Sequence, residues 1–232
     1  MELLIDGLKK AIEIILTGNQ DILAITLLTL RVCFISTLIS TLLGLPIGIW
    51  LGLTRFKGRK ILLTFVNIGL GLPPVVAGLW ITMLLWRSGP FGELGMLYSP
   101  TAIVMAQILV SLPIIISLTC SAFQQINEKM LLQIKALGAT KLQMLLLLIK
   151  QSKVAIMAAI MAGFGRVIAE VGAAMMVGGN IQGDTRILTT TIVMEVSKGN
   201  FDIALALSFI LLSLALLITA ALTFLQQRRR FS

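Results

Sequence analysis

The chain contains no histidine and two cysteines in 232 residues, and only 12% of its residues are charged. Without imidazole it has no side chain that ordinarily exchanges protons near neutrality, and it lacks the commonest metal ligand, which removes most zinc and Ser-His chemistry. Two cysteines cannot build a disulfide framework. A Gly followed by four residues and Gly-Lys-Ser/Thr is also absent, so no loop of the kind that cradles nucleotide phosphates is encoded. A soluble domain carries about a quarter of its residues as charged side chains. This chain instead is 57% hydrophobic, with a mean hydropathy of +1.00. Its few charges are crowded together, leaving runs of the roughly 20 apolar residues that a spanning helix needs. The net charge of +9 therefore reads poorly as a soluble enzyme or a nucleic-acid binder.

The gaps between charges predict an all-α, polytopic membrane bundle with about five transmembrane helices. Four spans are free of charge: Val32 to Thr54, Ile61 to Trp86, about Leu97 to Phe123, and Ile203 to Leu225. The first can start as early as Ile22, which would put Arg31 near an interface where its stem snorkels. A fifth stretch, Val154 to Val177, holds Arg166 and Glu170, each costing about 2.5 to 3.5 kcal/mol on insertion scales. Basic residues cluster after span one (Arg55, Lys57, Arg59, Lys60), between the third charge-free span and the Val154 stretch (Lys129, Lys135, Lys141, Lys150, Lys153), and at the end (Arg228, Arg229, Arg230). The other side receives half as many. The positive-inside rule then places the N-terminus outside and the C-terminus inside. Taken as running in opposite directions, spans one and three hold Cys33 and Cys120 too far apart to pair.

Domain expectations follow. Residues 1–20 form an interfacial amphipathic helix, with Leu4, Ile5, Leu8, Ile12, Ile15 and Leu16 on one face. Residues 22–226 form the membrane domain, with a cytoplasmic loop at 124–153 and an outer loop at 178–202, and 227–232 form a basic cytoplasmic tail. Pro73 and Pro74 should kink span two, while Pro46 and Pro113 interrupt spans one and three. Gly44, Gly48 and Gly52, continued by Thr37 and Thr41, make a small-residue stripe for close helix packing, in this chain or against another. Arg166 and Glu170 stand four apart, which on one helix face gives an ion pair. They mark either a pathway or a structural pair. In the cytoplasmic loop Asn127 is an N-cap and Met130, Leu131, Ile134 and Leu137 form an apolar face ending at Gly138. Such a face docks a partner or folds back on its own bundle.

Four segments carry a resemblance. Leu132-Gln-Ile-Lys-Ala-Leu-Gly-Ala139 lies where permeases of ATP-binding-cassette importers have a cytoplasmic Glu-Ala-Ala-x-x-x-Gly motif. Gly138 and Ala139 match it, and Leu132, Gln133 and Ile134 replace Glu-Ala-Ala. Gly71-Leu-Pro-Pro-Val-Val-Ala-Gly78, Gly163-Phe-Gly-Arg-Val-Ile-Ala-Glu-Val-Gly-Ala173 and the stretch from Val177 to Thr190 resemble the molybdate, tungstate and sulfate branch of these permeases, tungstate-type members above all. The resemblance covers nearly the whole chain and implies a type I importer permease fold in the cell membrane. It also implies a second copy of the chain, cytoplasmic ATPase subunits holding ATP and Mg, and an extracytoplasmic oxyanion-binding protein. The chain itself would need no cofactor or metal, catalyse nothing and bind no nucleic acid. Met130, Leu131, Leu132, Gln133, Ile134, Lys135, Ala136, Leu137, Gly138 and Ala139 would be the ATPase-coupling helix. Pro73, Pro74, Arg166 and Glu170 would belong to the pathway, and Asn180, Gln182, Thr185 and Arg186 to the surface receiving the binding protein. The expected cargo is tungstate, with molybdate or another oxyanion as the alternative. An ion-coupled secondary transporter is a second class, but it would normally show internal repeats or several buried ionisable groups.

Overall fold

A computed structural model describes residues 2–228, among which there are eleven α-helices, one 3-10 turn at Gly92–Leu94 and no strand. Arg229 to Ser232, and with them most of the expected tail at 227–232, lie outside the described residues. α1 (Glu2–Thr17) and α2 (Gln20–Leu53) are joined by a tight turn in which Gly18 takes φ +61°, a conformation costly to side chains bearing a Cβ. Asn19 then caps α2, its Oδ1 accepting from the amides of Asp21 and Ile22. α2 has 34 residues, about 51 Å at the α-helical rise. The helix thus begins near the earlier of the two expected starts and passes unbroken through Pro46.

α5 (Pro100–Gln124) lies beside α2 and likewise continues through Pro113. Ser36 donates to Gln107 Oε1 at 2.7 Å, and Ser40 meets Ser111 at 2.7 Å. One and two turns further along, a Cβ on Gly44 would lie 2.8 Å from Ile115 Cγ2, and one on Gly48 would lie 2.8 Å from the Ile116 carbonyl oxygen. The partners ascend together, so α2 and α5 are parallel, as two spans separated by a single crossing must be, and not opposed as the placing of Cys33 and Cys120 assumed. The glycine stripe therefore packs against α5 of the same chain, at a distance only glycine permits. Cys33 and Cys120 are both buried and free. At the constant offset of this seam they stand 16 residues apart in register, about 24 Å along the axis.

Span two is two helices, α3 (Arg59–Leu70) and α4 (Pro74–Leu85), bent by 105°. Pro74 lacks an N–H and forces Pro73 into an extended conformation, φ −63° and ψ 131°, which starts a new helix. The Pro73 carbonyl accepts from Val76 and Ala77. The other end of the bundle from the α1–α2 turn carries α6 (Glu128–Ala136) and α7 (Lys141–Gln151), tied to the loop after α2 by an exposed Arg55–Glu128 ion pair at 2.7 Å. α7 passes into α8 (Lys153–Ile168) with a 65° bend. The fifth span expected to Val177 stops at Ile168, and a separate α9 (Gly172–Gly178) follows.

Residues expected as an outer loop include another helix, α10 (Leu188–Ser197), whose first residues Leu188, Thr189, Thr190 and Thr191 are buried. Its amide at Leu188 donates to Thr29 Oγ1, fixing α10 to α2. α11 (Phe201–Arg228) completes the bundle and carries α1 on its flank. Gly7 and Ala11 are the small residues of α1 that meet it, with Lys10 paired to Asp202. The apolar set Leu4, Ile5, Leu8, Ile12, Ile15 and Leu16 points outward and is about half exposed or more. The helices α2, α5 and α11 are each long and apolar enough to cross a bilayer, and the bent pairs α3/α4 and α7/α8 bring the candidates to five.

Candidate functional site

The two intramembrane charges do not pair. α8 ends at Ile168, so Arg166 and Glu170 are not on one helical face, and no ion pair joins them among the described residues. Glu170 instead caps α9: Oε1 accepts the Ala173 amide at 2.5 Å and Oε2 accepts the Ala174 amide at 2.9 Å. A carboxylate suits this place because the first amides of a helix have no internal partner. Its own carbonyl accepts from Thr189 Oγ1 at 3.0 Å, linking the break between α8 and α9 to α10. Glu170 is 3% exposed and its oxygens are occupied by backbone.

Arg166, half-buried, reaches the other break. Its Nη2 lies 3.5 Å from the Leu72 carbonyl, between α3 and α4. That is a long contact, and guanidinium offers five N–H donors, so most of them are unused among the described residues. The two breaks are adjacent because α4 and α9 pack at glycine distances. A Cβ on Gly78 would lie 2.7 Å from Ala173 Cα, and one on Gly172 would lie 2.7 Å from Val75 Cγ2. Pro73, Pro74 and Arg166 are thus brought to one place, with Glu170 across the α9 amides. The result is a cationic group beside irregular backbone between two short helices, an arrangement that can meet an anion.

At the α6–α7 end, Asn127 caps α6 through the Lys129 amide at 2.8 Å, as expected. Thr140 and Gln143 form a reciprocal capping box at the start of α7. Gly138 closes α6 with φ +77°, and the Ala139 amide reaches back to the Ile134 carbonyl, the pattern of a left-handed C-terminal cap. The apolar face divides differently from the sequence reading. Met130, Leu131 and Ile134 pack on the cluster of Phe123, Leu148 and Ile156, whereas Leu132 is 64% exposed and Leu137 87% exposed. Gln133, Lys135, Ala136 and Gly138 are exposed with them, and Ala139 is partly covered. The exposed surface of α6 and its cap is therefore Leu132, Gln133, Lys135, Ala136, Leu137 and Gly138, with Leu132 and Leu137 its large apolar members.

The four residues expected to receive a binding protein are equally divided. Thr185 is 1% exposed, donates to the Gly178 carbonyl at 2.5 Å and accepts from the Ile181 amide. Asn180, at φ +52°, takes Thr190 on its side chain and Arg186 Nη2 on its carbonyl. Both shape the loop; Thr185 is closed to a docked protein, while Asn180 is partly exposed. Gln182 is exposed and Arg186 partly so, beside exposed Ile181 and Asp184. Beyond α10 the Glu195 carboxylate accepts from Asn200 Nδ2 at 2.7 Å and Lys198 Nζ at 2.9 Å. Those two bonds, the amide's first, hold its carboxyl below the usual carboxylate range.

Sequence reasoning missed the buried seam of Ser36, Ser40, Gln107 and Ser111. Its signal was two pairs of polar residues, each four apart, in separate apolar spans. It also missed Thr29 and Thr189, which serve backbone groups at the ends of other helices.

The chain is 34% identical over 227 residues to a tungstate uptake system permease protein of Peptoclostridium acidaminophilum, covering 98% of this chain and all of that one. It is 36% identical over 204 residues to a probable anion ABC transporter permease protein of Haloferax volcanii, 86% of this chain and 88% of that one. A tungstate uptake system permease protein of Campylobacter jejuni is 33% identical over 215 residues, 93% of this chain and 90% of that one. Residues 44–231 match the family described as binding-protein-dependent transport system inner membrane component. With broken apolar helices, a matching family region and relatives aligned almost end to end, the chain belongs to this family of membrane permease subunits.

Proposed function

We propose that the chain imports an oxyanion, tungstate in the first place, as one of two identical permease subunits working with a separate ATPase and an extracytoplasmic binding protein. The observation that carries the anion reading is Arg166: a half-buried guanidinium beside two helix breaks, with no carboxylate paired to it among the described residues. An intramembrane cation is costly unless it serves a pathway or a partner, and an oxyanion presents several acceptors to its donors. The tungstate choice rests on the relatives' names. The basic clusters favour the N-terminus outside and the α6–α7 end in the cytoplasm. There the exposed surface Leu132, Gln133, Lys135, Ala136, Leu137 and Gly138 is offered to the ATPase, which supplies ATP and Mg, while Gln182 and Arg186 with Ile181 and Asp184 face the binding protein. Motion of α6 and α7 would reach the breaks through the bent α7–α8 junction, giving alternating access.

The test is tungsten accumulation by elemental analysis in cells lacking the gene, with and without the restored chain, at trace tungstate. Sulfate-resistant restoration is expected, and excess molybdate measures selectivity. Arg166→Gln should abolish restoration with the protein still in the membrane. Unchanged uptake in Arg166→Gln would overturn its role, and absence of any tungsten difference would move the substrate to another solute. Uptake that survives loss of the ATPase would favour an ion-coupled transporter.

A further inference from the structure

We propose that the groove between α2, α8 and α11 is a binding site for one anionic phospholipid, with its phosphate on Arg31 and an acyl chain lying along α2 toward Thr41. The groove has a volume of about 770 Å³ and is walled by Phe34 and Leu38 of α2, Phe164 of α8 and Ile218 of α11. Among its lining residues Arg31 alone is charged. It is exposed, and it makes no ion pair or side-chain hydrogen bond among the described residues. A guanidinium at a membrane interface without a carboxylate partner is matched by phosphate, which it can hold through two parallel N–H donors.

The dimensions give the second argument. Arg31 and Thr41 are ten residues apart on one continuous helix, about 15 Å at the α-helical rise. Half the hydrocarbon thickness of a bilayer is also about 15 Å. A lipid whose phosphate sits at Arg31 therefore has its chain ending at the Thr41 end of the groove, with Leu27 and Leu30 lining the turn on the headgroup side of Arg31. Apart from Thr37 and Thr41 the rest of the lining is aliphatic and aromatic, and Phe34 is 67% exposed and Leu38 44% exposed to whatever fills it. A protein helix in the same place would leave Arg31 unmatched unless it brought an acid to that level. The charge and the one-leaflet length together favour lipid. Nothing in this site touches Arg166 or the α6–α7 surface, so it stands apart from the transport reading.

The complex of this chain with its ATPase would be reconstituted in vesicles of equal parts phosphatidylcholine and phosphatidylglycerol, extracted mildly, and weighed intact by native mass spectrometry. The expected result is phosphatidylglycerol retained in preference to phosphatidylcholine. That preference should fall about fivefold in Arg31→Gln, the order expected for one basic residue near an anionic surface. Leu38→Trp, which keeps the charge and fills the groove, should lower retention of both lipids. Should Arg31→Gln fail to fold, Leu38→Trp decides alone. Equal retention of phosphatidylglycerol by wild type and both variants, or no preference in the wild type, would overturn the proposal. So would efficient cross-linking of Leu38→Cys between two copies, because a second chain would then occupy the groove.

Discussion

Replacing Glu170 tests whether its carboxylate caps α9 or balances Arg166. Its two oxygens accept the Ala173 and Ala174 amides at 2.5 and 2.9 Å, and the side chain is 3% exposed. Glu170→Ala leaves both amides buried without partners. At about 1 to 3 kcal/mol for each unpaired buried group, the loss is about 2 to 6 kcal/mol. Glu170→Gln keeps one acceptor but turns an NH2 toward the second amide, so it should lose about half as much. Glu170→Lys replaces an acceptor by a donor at the positive end of a helix and should accumulate least. On the scale of soluble domains of similar size, 2 kcal/mol corresponds to a fall of at least ~4 °C in the apparent Tm. The assay is thermal unfolding of the purified protein in detergent, followed by intrinsic fluorescence and by the monodisperse fraction surviving a heat step. A Glu170→Ala protein within ~1 °C of wild type would refute the cap. Normal tungsten uptake by Glu170→Lys would refute any need for the carboxylate.

At the α6–α7 end, Leu132→Asp with Leu137→Asp should leave expression and Tm unchanged while abolishing co-purification of the ATPase. Met130→Asp with Ile134→Asp should instead lower the yield of folded protein, because those side chains pack on Phe123, Leu148 and Ile156; the reverse pattern would restore the original assignment of the docking face. Glu195 carries a pH dependence. Its carboxyl is held below the ordinary value of 4.5 by Asn200 and then Lys198, so its contribution is present above that pH and is lost as pH falls through the lower folded value. Hydrogen exchange at the α10–α11 turn should therefore rise in wild type only below about pH 4.5, with Glu195→Gln showing a smaller step, the remainder belonging to Asp202, which Lys10 also holds low.

The regular parts of the fold were legible because lipid permits so few solutions. Apolar length fixed α2, α5 and α11, and Asn127 and Gly138 fixed the ends of α6. Positions at which a helix stops inside the membrane were harder. Pro73-Pro74 announced one of them, though the chain turns by 105° where a kink was expected. The break at Ala169 to Val171 has no proline to announce it. A spacing of four residues then suggested a salt bridge that requires a continuous helix. The same limit applied at α6, where periodicity identified an apolar set but could not say which of Met130, Ile134 and Leu137 the bundle covers. Burial settled that, as it did for Thr185, whose hydroxyl is turned inward by the Gly178 carbonyl.

The two charges that composition made expensive thus sit at the two places where backbone groups lose their helical partners. Leu72 has a carbonyl freed by the break before Pro74, and Arg166 faces it; Ala173 and Ala174 have amides freed by the break after Ile168, and Glu170 accepts them. Each charge serves a different interruption, and the α4–α9 contact at Gly78 and Gly172 brings the interruptions together. This arrangement differs measurably from an ion pair. If Arg166 and Glu170 neutralised one another, either single neutral variant would strand a buried charge, and Arg166→Gln with Glu170→Gln would recover much of the loss. With separate duties, Arg166→Gln should lower stability by no more than about 1 kcal/mol, since its contact with Leu72 is long. The double variant should then lose close to the sum of the singles, short of it only by the minor through-space attraction between the two charges. A double variant more stable than Glu170→Gln alone would mean that the charges act as a pair, and the vacant donors of Arg166 could no longer support an anion pathway.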